Sequence, residues 1–271
     1  MPVTNATGRI AQRFDLLGGR GEAALLPYLM TGYPSLPATR DLLCAIVDAG
    51  ADVVELGVPF SDPLADGATL QRANQAALER GAGLAAALEL VGSLRRQIAV
   101  PLVMMSYFNP IMQMGLGCFA SEASSAGVDG LIVPDLPLEE SAELRAAAAA
   151  SGLDVVGMVA PTSAPERIRE ISRSASGFVY CVSLKGVTGA RAALSTDARS
   201  LVGTVKQATE LPAVVGFGIS TPKQVGEVTA FADGAVVASA IVDRMDSHPS
   251  DPVGSAAEFV RELKKACRKL S

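Results

Sequence analysis

Glu55 and Asp66 are the two side chains whose type and placement most directly suggest chemistry. Glu55 interrupts the apolar run Val53, Val54, Leu56, whose β-branched residues describe a strand covered on both faces. A carboxylate inside such a run is costly unless it is paired, hydrogen-bonded or used, and the use open to it is proton transfer. Gly57, Pro59, Ser61, Asp62 and Pro63 then break the strand into a loop, on which Asp66 and Gly67 follow. An acid on a strand with a second acid on the next loop is the layout of a barrel active site, whose catalytic groups lie at the C-terminal ends of strands. Ser-Asp-Pro is equally ordinary turn chemistry, and an acid at a strand end is equally a hydrogen-bonded structural group. Residue types alone leave both readings open.

A second group of residues has the character of an anion site. The seventh apolar run ends in Gly216-Phe217-Gly218-Ile219-Ser220-Thr221, leading into a helix. It resembles half of a dinucleotide fingerprint, but Thr221 stands where the third glycine belongs, so that reading fails. The last apolar run ends Val236-Val237-Ala238-Ser239-Ala240, a turn of small residues into a short helix. In (β/α)₈ enzymes the loops after strands seven and eight commonly hold a phosphate on backbone N–H groups. Tight strand–helix turns with no ligand would look similar. Between these segments and the sixth run, Ser183–Arg191 has the glycine hinges, hydroxyl and cations of a closing lid, or of a plain surface loop. Tyr28, Tyr107, Asn109, Asp135 and Tyr180 fall at the same ends of their runs, and Met104, Met105 and Phe217 would suit a flat apolar ligand beside a phosphate.

Other chemistries are set aside by what the chain lacks. Its single histidine, His248, lies among turn-formers in SHPSDP, which argues against Ser-His-Asp and Cys-His catalysis. Cys44, Cys118, Cys181 and Cys267 are scattered without a CxxC pair, fitting a reducing cytoplasm better than a zinc site or disulfide scaffold. The net charge of -5 with no basic block gives no footprint for nucleic acid. No apolar leader and no 18-residue apolar run is present, so neither export nor a membrane span is expected.

These residues need elements to position them. A short helix over Ala6–Leu17 comes first, and then a strand-like run followed by a helical stretch recurs. The runs are Leu25–Thr31, Asp52–Val58, Pro101–Tyr107, Gly130–Pro134, Asp154–Ala160, Gly177–Ser183, Ala213–Gly218 and Gly234–Ser239. Ser35, Ser163 and Ser220/Thr221 read as helix N-caps. With 271 residues, about the length a barrel needs, the alternation predicts a (β/α)₈ TIM barrel as one domain over residues 1–271. An open doubly wound sheet is the alternative that strand count alone does not exclude. Pro59–Gly83 reads as an extra loop and helix after the second strand.

ELGVPFSDPLADG at Glu55–Gly67, GVTGA at Gly186–Ala190 and GFGIS at Gly216–Ser220 together resemble the tryptophan synthase alpha chain family, in its order and spacing. NP at Asn109–Pro110, PDLPLEES at Pro134–Ser141 and the later SAIV extend the resemblance from about Leu25 to Val242. It implies a (β/α)₈ lyase that cleaves indole-3-glycerol phosphate to indole and glyceraldehyde 3-phosphate. Carried over by position, Glu55 is the general acid and base and Asp66 its ionised partner at the indole N–H. Tyr28, Met105, Tyr180, Thr188 and Phe217 line the substrate site, and Gly189, Gly218, Ala238 and Ser239 meet the phosphate. The resemblance also implies no cofactor in this chain and no metal. It implies a β subunit that holds pyridoxal phosphate in an α2β2 assembly, faced by Asp62, Asn109–Pro110 and Asp135–Pro137. Three positions depart from the pattern: Ala238 replaces the usual glycine, Leu184-Lys185 a polar pair, and Ala68 a proline.

Two other functions fit the same residues less well. A Schiff-base aldolase wants a buried strand lysine, and the runs contain none before Lys185. A silent subunit that only activates a partner has no need of both acids.

Overall fold

In the computed structural model, residues 8–182, 191–216 and 218–267 are described, with backbone alone for 191–196. The chain begins with α1 (Arg9–Gly19), then alternates β1 (Ala24–Met30), α2 (Leu36–Asp48) and β2 (Val54–Gly57). Two helices follow β2: α3 (Ala68–Glu79), which is the expected insertion, and α4 (Leu84–Leu94). β3 (Leu102–Met105) leads to α5 (Phe108–Met114) and α6 (Leu116–Ala126), and β4 (Gly130–Ile132) to a 3-10 turn and α7 (Ala142–Ala150). After β5 (Asp154–Val155) and β6 (Gly157–Val159) come α8 (Pro165–Ser174), β7 (Val179–Val182) and α9 (Arg191–Ala208). The chain finishes with β8 (Ala213–Gly216), α10 (Pro222–Thr229), β9 (Gly234–Val237), α11 (Ser239–Asp246) and α12 (Pro252–Lys265).

All pairings are parallel, in the order β5-β4-β3-β2-β1-β9-β8-β7-β6. The two ends of this series, β5 and β6, are separated in sequence by Val156 alone. Asp154 and Val155 pair with Gly130 and Leu131 of β4, whereas Gly157–Val159 pair with Val179–Cys181 of β7. The run Asp154–Ala160 is thus one barrel strand, bent at Val156, that hands over from one neighbour to the other and closes the sheet. This decides against the open sheet.

Strand parity sorts the side chains. Val54 and Leu56 pack outward against the helices, while Val53 joins Leu26, Val103, Val214 and Val236 inside the barrel. Glu55, of the same parity as Val53, is directed inward. Ile10, Phe14 and Leu17 of α1 plug the end of the barrel away from the strand C-termini, with Phe14 tilted against Phe178 at 6.0 Å between centroids.

That plugged end is clamped by aspartates. Asp52, before β2, accepts the Leu25 N–H of β1 at 2.8 Å; Asp129, before β4, accepts the Leu102 N–H of β3 at 2.8 Å. Asp233, before β9, accepts the Ala213 N–H of β8 at 3.0 Å. Each also meets cations: Arg13 and Lys264 on Asp52, Arg9 and Arg95 on Asp129, Lys206 on Asp233.

Two details differ from the sequence-based expectation. Ser35 and Thr221 cap their helices, accepting from Ala38 N and Gln224 N, but Ser163 does not. Its hydroxyl accepts from Ala160 N inside the preceding turn, and Ala164 occupies the cap position of α8. Helix α5 has no counterpart among the expected elements; Pro110 stands in its first turn, where a proline gives up no intrahelical hydrogen bond.

Candidate active site

A cavity of about 310 Å³ opens at the C-terminal ends of the strands. Tyr28, Glu55, Asp66, Met105, Tyr180, Gly218, Ala238 and Ser239, all anticipated from the sequence, line it. Thr188, Gly189, Phe217 and the Leu184-Lys185 pair lie outside the described residues. Asn109 and Asp135 do not line the cavity; Asp135 accepts the Phe108 N–H at 2.9 Å on the outer surface, joining the loops after β3 and β4.

Glu55 is paired in register with Tyr28 of β1 and Val103 of β3. It is 1% exposed, and its Oε1 has no hydrogen-bond partner among the described residues. Burial without compensation disfavours the charged form, and the carboxyl is pushed up to about 8. Asp66, on the loop, is raised by burial to about 6. The two acids therefore differ in protonation at neutral pH, which is the condition for dividing acid and base roles between them.

The loop carrying Asp66 is held by Asn74, which the sequence did not single out, and by Tyr107, which it did. Asn74 of α3, 2% exposed, accepts from Phe60 N at 2.8 Å and donates to Phe60 O at 2.6 Å. Tyr107 stacks on Phe60 at 5.1 Å, and its hydroxyl accepts from Ala65 N at 2.9 Å, next to the acid. Asn74 lies on the buried stripe of α3 with Ala73 and Ala77. Ile132, Met158, Leu70, Thr69 and Asp243 also line the cavity and carried no signal of their own.

Two glycines set the shape of the walls. A Cβ added at Gly57 would overlap the Tyr28 hydroxyl, and one at Gly216 would overlap the Tyr180 hydroxyl. Each tyrosine thus lies over the glycine of the adjoining strand, one on either side of the mouth. Both phenols are held well above their ordinary range, first by burial; Asp66 and then Glu55 add to this at Tyr28, and Glu55 adds to it at Tyr180. They remain neutral and present an apolar wall with a polar tip.

Opposite the acids, Gly218 has φ 77°, a left-handed conformation that glycine adopts without strain. Ala238 caps α11 at φ -119°, ψ -84°, so its φ lies outside the left-handed region that favours glycine. Ser239 opens α11, whose unpaired N–H groups and dipole favour an anion. Among the described residues no group of three or more His, Cys, Asp or Glu side chains is placed to hold a metal, and no helix is long and apolar enough to cross a membrane.

Comparison with known proteins meets this geometry. The family model described as tryptophan synthase alpha chain matches residues 14–269. The tryptophan synthase alpha chain of Chloroflexus aggregans is 50% identical over 264 residues, covering 97% of this chain and 99% of that one. The Roseiflexus castenholzii alpha chain is 52% identical over 258 residues, covering 94% and 99%. Among solved structures, tryptophan synthase from M. tuberculosis in an aminoacrylate-bound form superposes with a TM-score of 0.88 at 35% identity, over 97% of this chain and 100% of that one. The alpha subunit of Legionella pneumophila superposes at 0.89 with 33% identity, over 97% and 99%. With its barrel and its sequence matched over nearly the whole length, the chain belongs to the tryptophan synthase alpha chain family.

Proposed function

We propose that Glu55 and Asp66 carry out the family's reaction in this chain, the retro-aldol cleavage of indole-3-glycerol phosphate to indole and glyceraldehyde 3-phosphate. The observation that carries this reading is a buried Glu55, its Oε1 without a partner among the described residues, sharing one cavity with an acid of lower pKa. Glu55 starts protonated and delivers its proton to indole C3. The resulting carboxylate takes the proton of the hydroxyl on the carbon bonded to C3 as the carbon–carbon bond breaks, which returns Glu55 to its starting state. Asp66, ionised, accepts the indole N–H and counters the positive charge that develops on that nitrogen.

Tyr28, Met105 and Tyr180 enclose the indole; the family resemblance adds Phe217 and Thr188, which lie outside the described residues. Gly218, Ala238 and Ser239 present backbone N–H groups to the phosphate, and the dipole of α11 supports this assignment; the resemblance adds Gly189, which lies outside the described residues. Proton transfer by one carboxyl and charge stabilisation by a second carboxylate need no organic cofactor or metal in this chain. The indole passes to a β subunit that holds pyridoxal phosphate, in an α2β2 assembly in the cytoplasm. Leu64, 92% exposed on the Asp66 loop beside Asp62, and the joined surface of Asn109–Pro110 and Asp135–Pro137 suit the face that meets that partner.

The test is indole release from indole-3-glycerol phosphate by the purified chain, alone and with a β subunit. Slow release that rises on adding β is expected. No release in either condition from folded protein would overturn the reading.

A further inference from the structure

The substrate proposed above has two ends, an indole that meets Asp66 and a phosphate that meets the N-terminus of α11. Something must fix the distance between those two contacts, and the structure contains a tie between the elements that supply them. Helix α3 starts at Ala68, immediately after Asp66-Gly67, and its second residue is Thr69. The Thr69 hydroxyl donates to Asp243 Oδ1 of α11 at 3.1 Å. Both residues line the cavity, on opposite sides of the gap between the two helices. One turn further along, Arg72 of α3 reaches Asp246 Oδ2 of α11 at 3.3 Å, and the Tyr33 hydroxyl, on the loop after β1, donates to the other oxygen of Asp246.

We propose that the Thr69–Asp243 hydrogen bond is a latch that holds the Asp66 loop in register with the phosphate end of α11, making Thr69 and Asp243 positioning residues for the cleavage. The inference rests on the reaction and phosphate site proposed above. Asp66 is three residues before Thr69, so a shift at the start of α3 moves its carboxylate directly. Asp243 is one helical turn from Ser239, so its position is locked to the backbone N–H groups that face the anion. Arg72 and Tyr33 hold the far end of the seam and confine any movement to the Thr69 end. An ångström of misplacement at a reacting group costs rate far more than it costs affinity, because transition-state geometry is more demanding than ground-state contact.

The experiment is steady-state cleavage of indole-3-glycerol phosphate by Thr69→Val, Thr69→Ser, Asp243→Ala, Asp243→Asn and the Thr69→Val/Asp243→Ala double variant, each with a thermal melt. Inhibition by inorganic phosphate probes the anion site separately. Thr69→Val and Asp243→Ala should each lower kcat roughly tenfold with the phosphate inhibition constant within about twofold of the parent. The double variant should lose no more than either single one, because both remove the same bond. Thr69→Ser and Asp243→Asn keep a donor or an acceptor in place and should restore kcat. A lowered melting temperature with unchanged kcat would reduce the contact to a structural one and overturn the proposal, as would losses that multiply in the double variant. If Thr69→Val fails to fold, Asp243→Ala against Asp243→Asn makes the same comparison from the other side. A parent chain that releases no indole would instead overturn the proposed reaction, which separates the two failures.

Discussion

Asp52 and Glu55 lie three residues apart on one strand and its approach, both essentially excluded from solvent, at 0% and 1% exposure. Asp52 is surrounded by donors: Arg13 at 2.6 Å, Lys264 at 2.8 Å and the Leu25 N–H at 2.8 Å. It ties α1, β1 and α12 together at the plugged end of the barrel. Glu55, toward the mouth, has apolar and phenolic neighbours, and one of its oxygens is unpartnered among the described residues. Burial therefore produces opposite results from nearly the same group. With compensating donors it makes a fixed ionic clamp, and without them it makes a carboxyl whose proton is available near neutral pH. The same contrast separates Asp129 and Asp233, held by cations and strand N–H groups, from Asp66 at the other end.

The comparison can be broken most sharply at Glu55. Glu55→Gln should lower kcat by about 10²–10⁴-fold while the circular dichroism spectrum is preserved, since an amide cannot exchange the proton. Near-parental turnover would remove Glu55 from the chemistry. The sign of its effect on stability is also informative. A carboxyl whose folded pKa is raised contributes stability that is full below its unfolded value near 4.5 and is lost as pH rises through about 8. At pH 8.5 the glutamine variant should accordingly unfold at higher denaturant than the parent, by an amount on the order of a few kcal/mol.

Asp52→Ala should behave in the opposite way. It leaves two part-buried cations and a strand N–H without their acceptor, at a cost of roughly 3 kcal/mol in chemical denaturation. The kcat of the folded fraction should stay at the parental value. A large fall in kcat without a loss of stability would contradict the division between the two ends.

The pH profile sharpens the same contrast. With Asp66 required ionised and Glu55 required protonated, kcat/KM should fall about tenfold per unit below about 6 and again above about 8. The apparent values belong to the pair. Tyr28 and Tyr180, raised well above their ordinary range by burial, and Tyr107, pushed up to about 12, should add no limb between these two. Asp66→Asn should flatten the acid limb and leave the alkaline one in place.

Much of this was legible in the chain itself. The apolar runs, the acid inside one of them, the acid on the next loop and the insertion before α4 are local patterns, and each corresponds to an element or a cavity-lining residue in the structure. Hydrophobic periodicity reports a segment's own burial, so it marks strands and helices well. It carries nothing about partners distant in sequence. Closure of the barrel at Val156, the grip of Asn74 and Tyr107 on the Asp66 loop, the tyrosines over Gly57 and Gly216, and the seam from α3 to α11 all depend on contacts between remote segments. Ser163 shows the same limit on a small scale: its type suits a cap, and only the fold decided that its hydroxyl turns to Ala160 instead. The sequence by itself determined which groups are acids and which segments are buried. Tertiary structure decided which of those acids have donors around them, because the cost of burying a charge is set by neighbours that the chain brings from elsewhere.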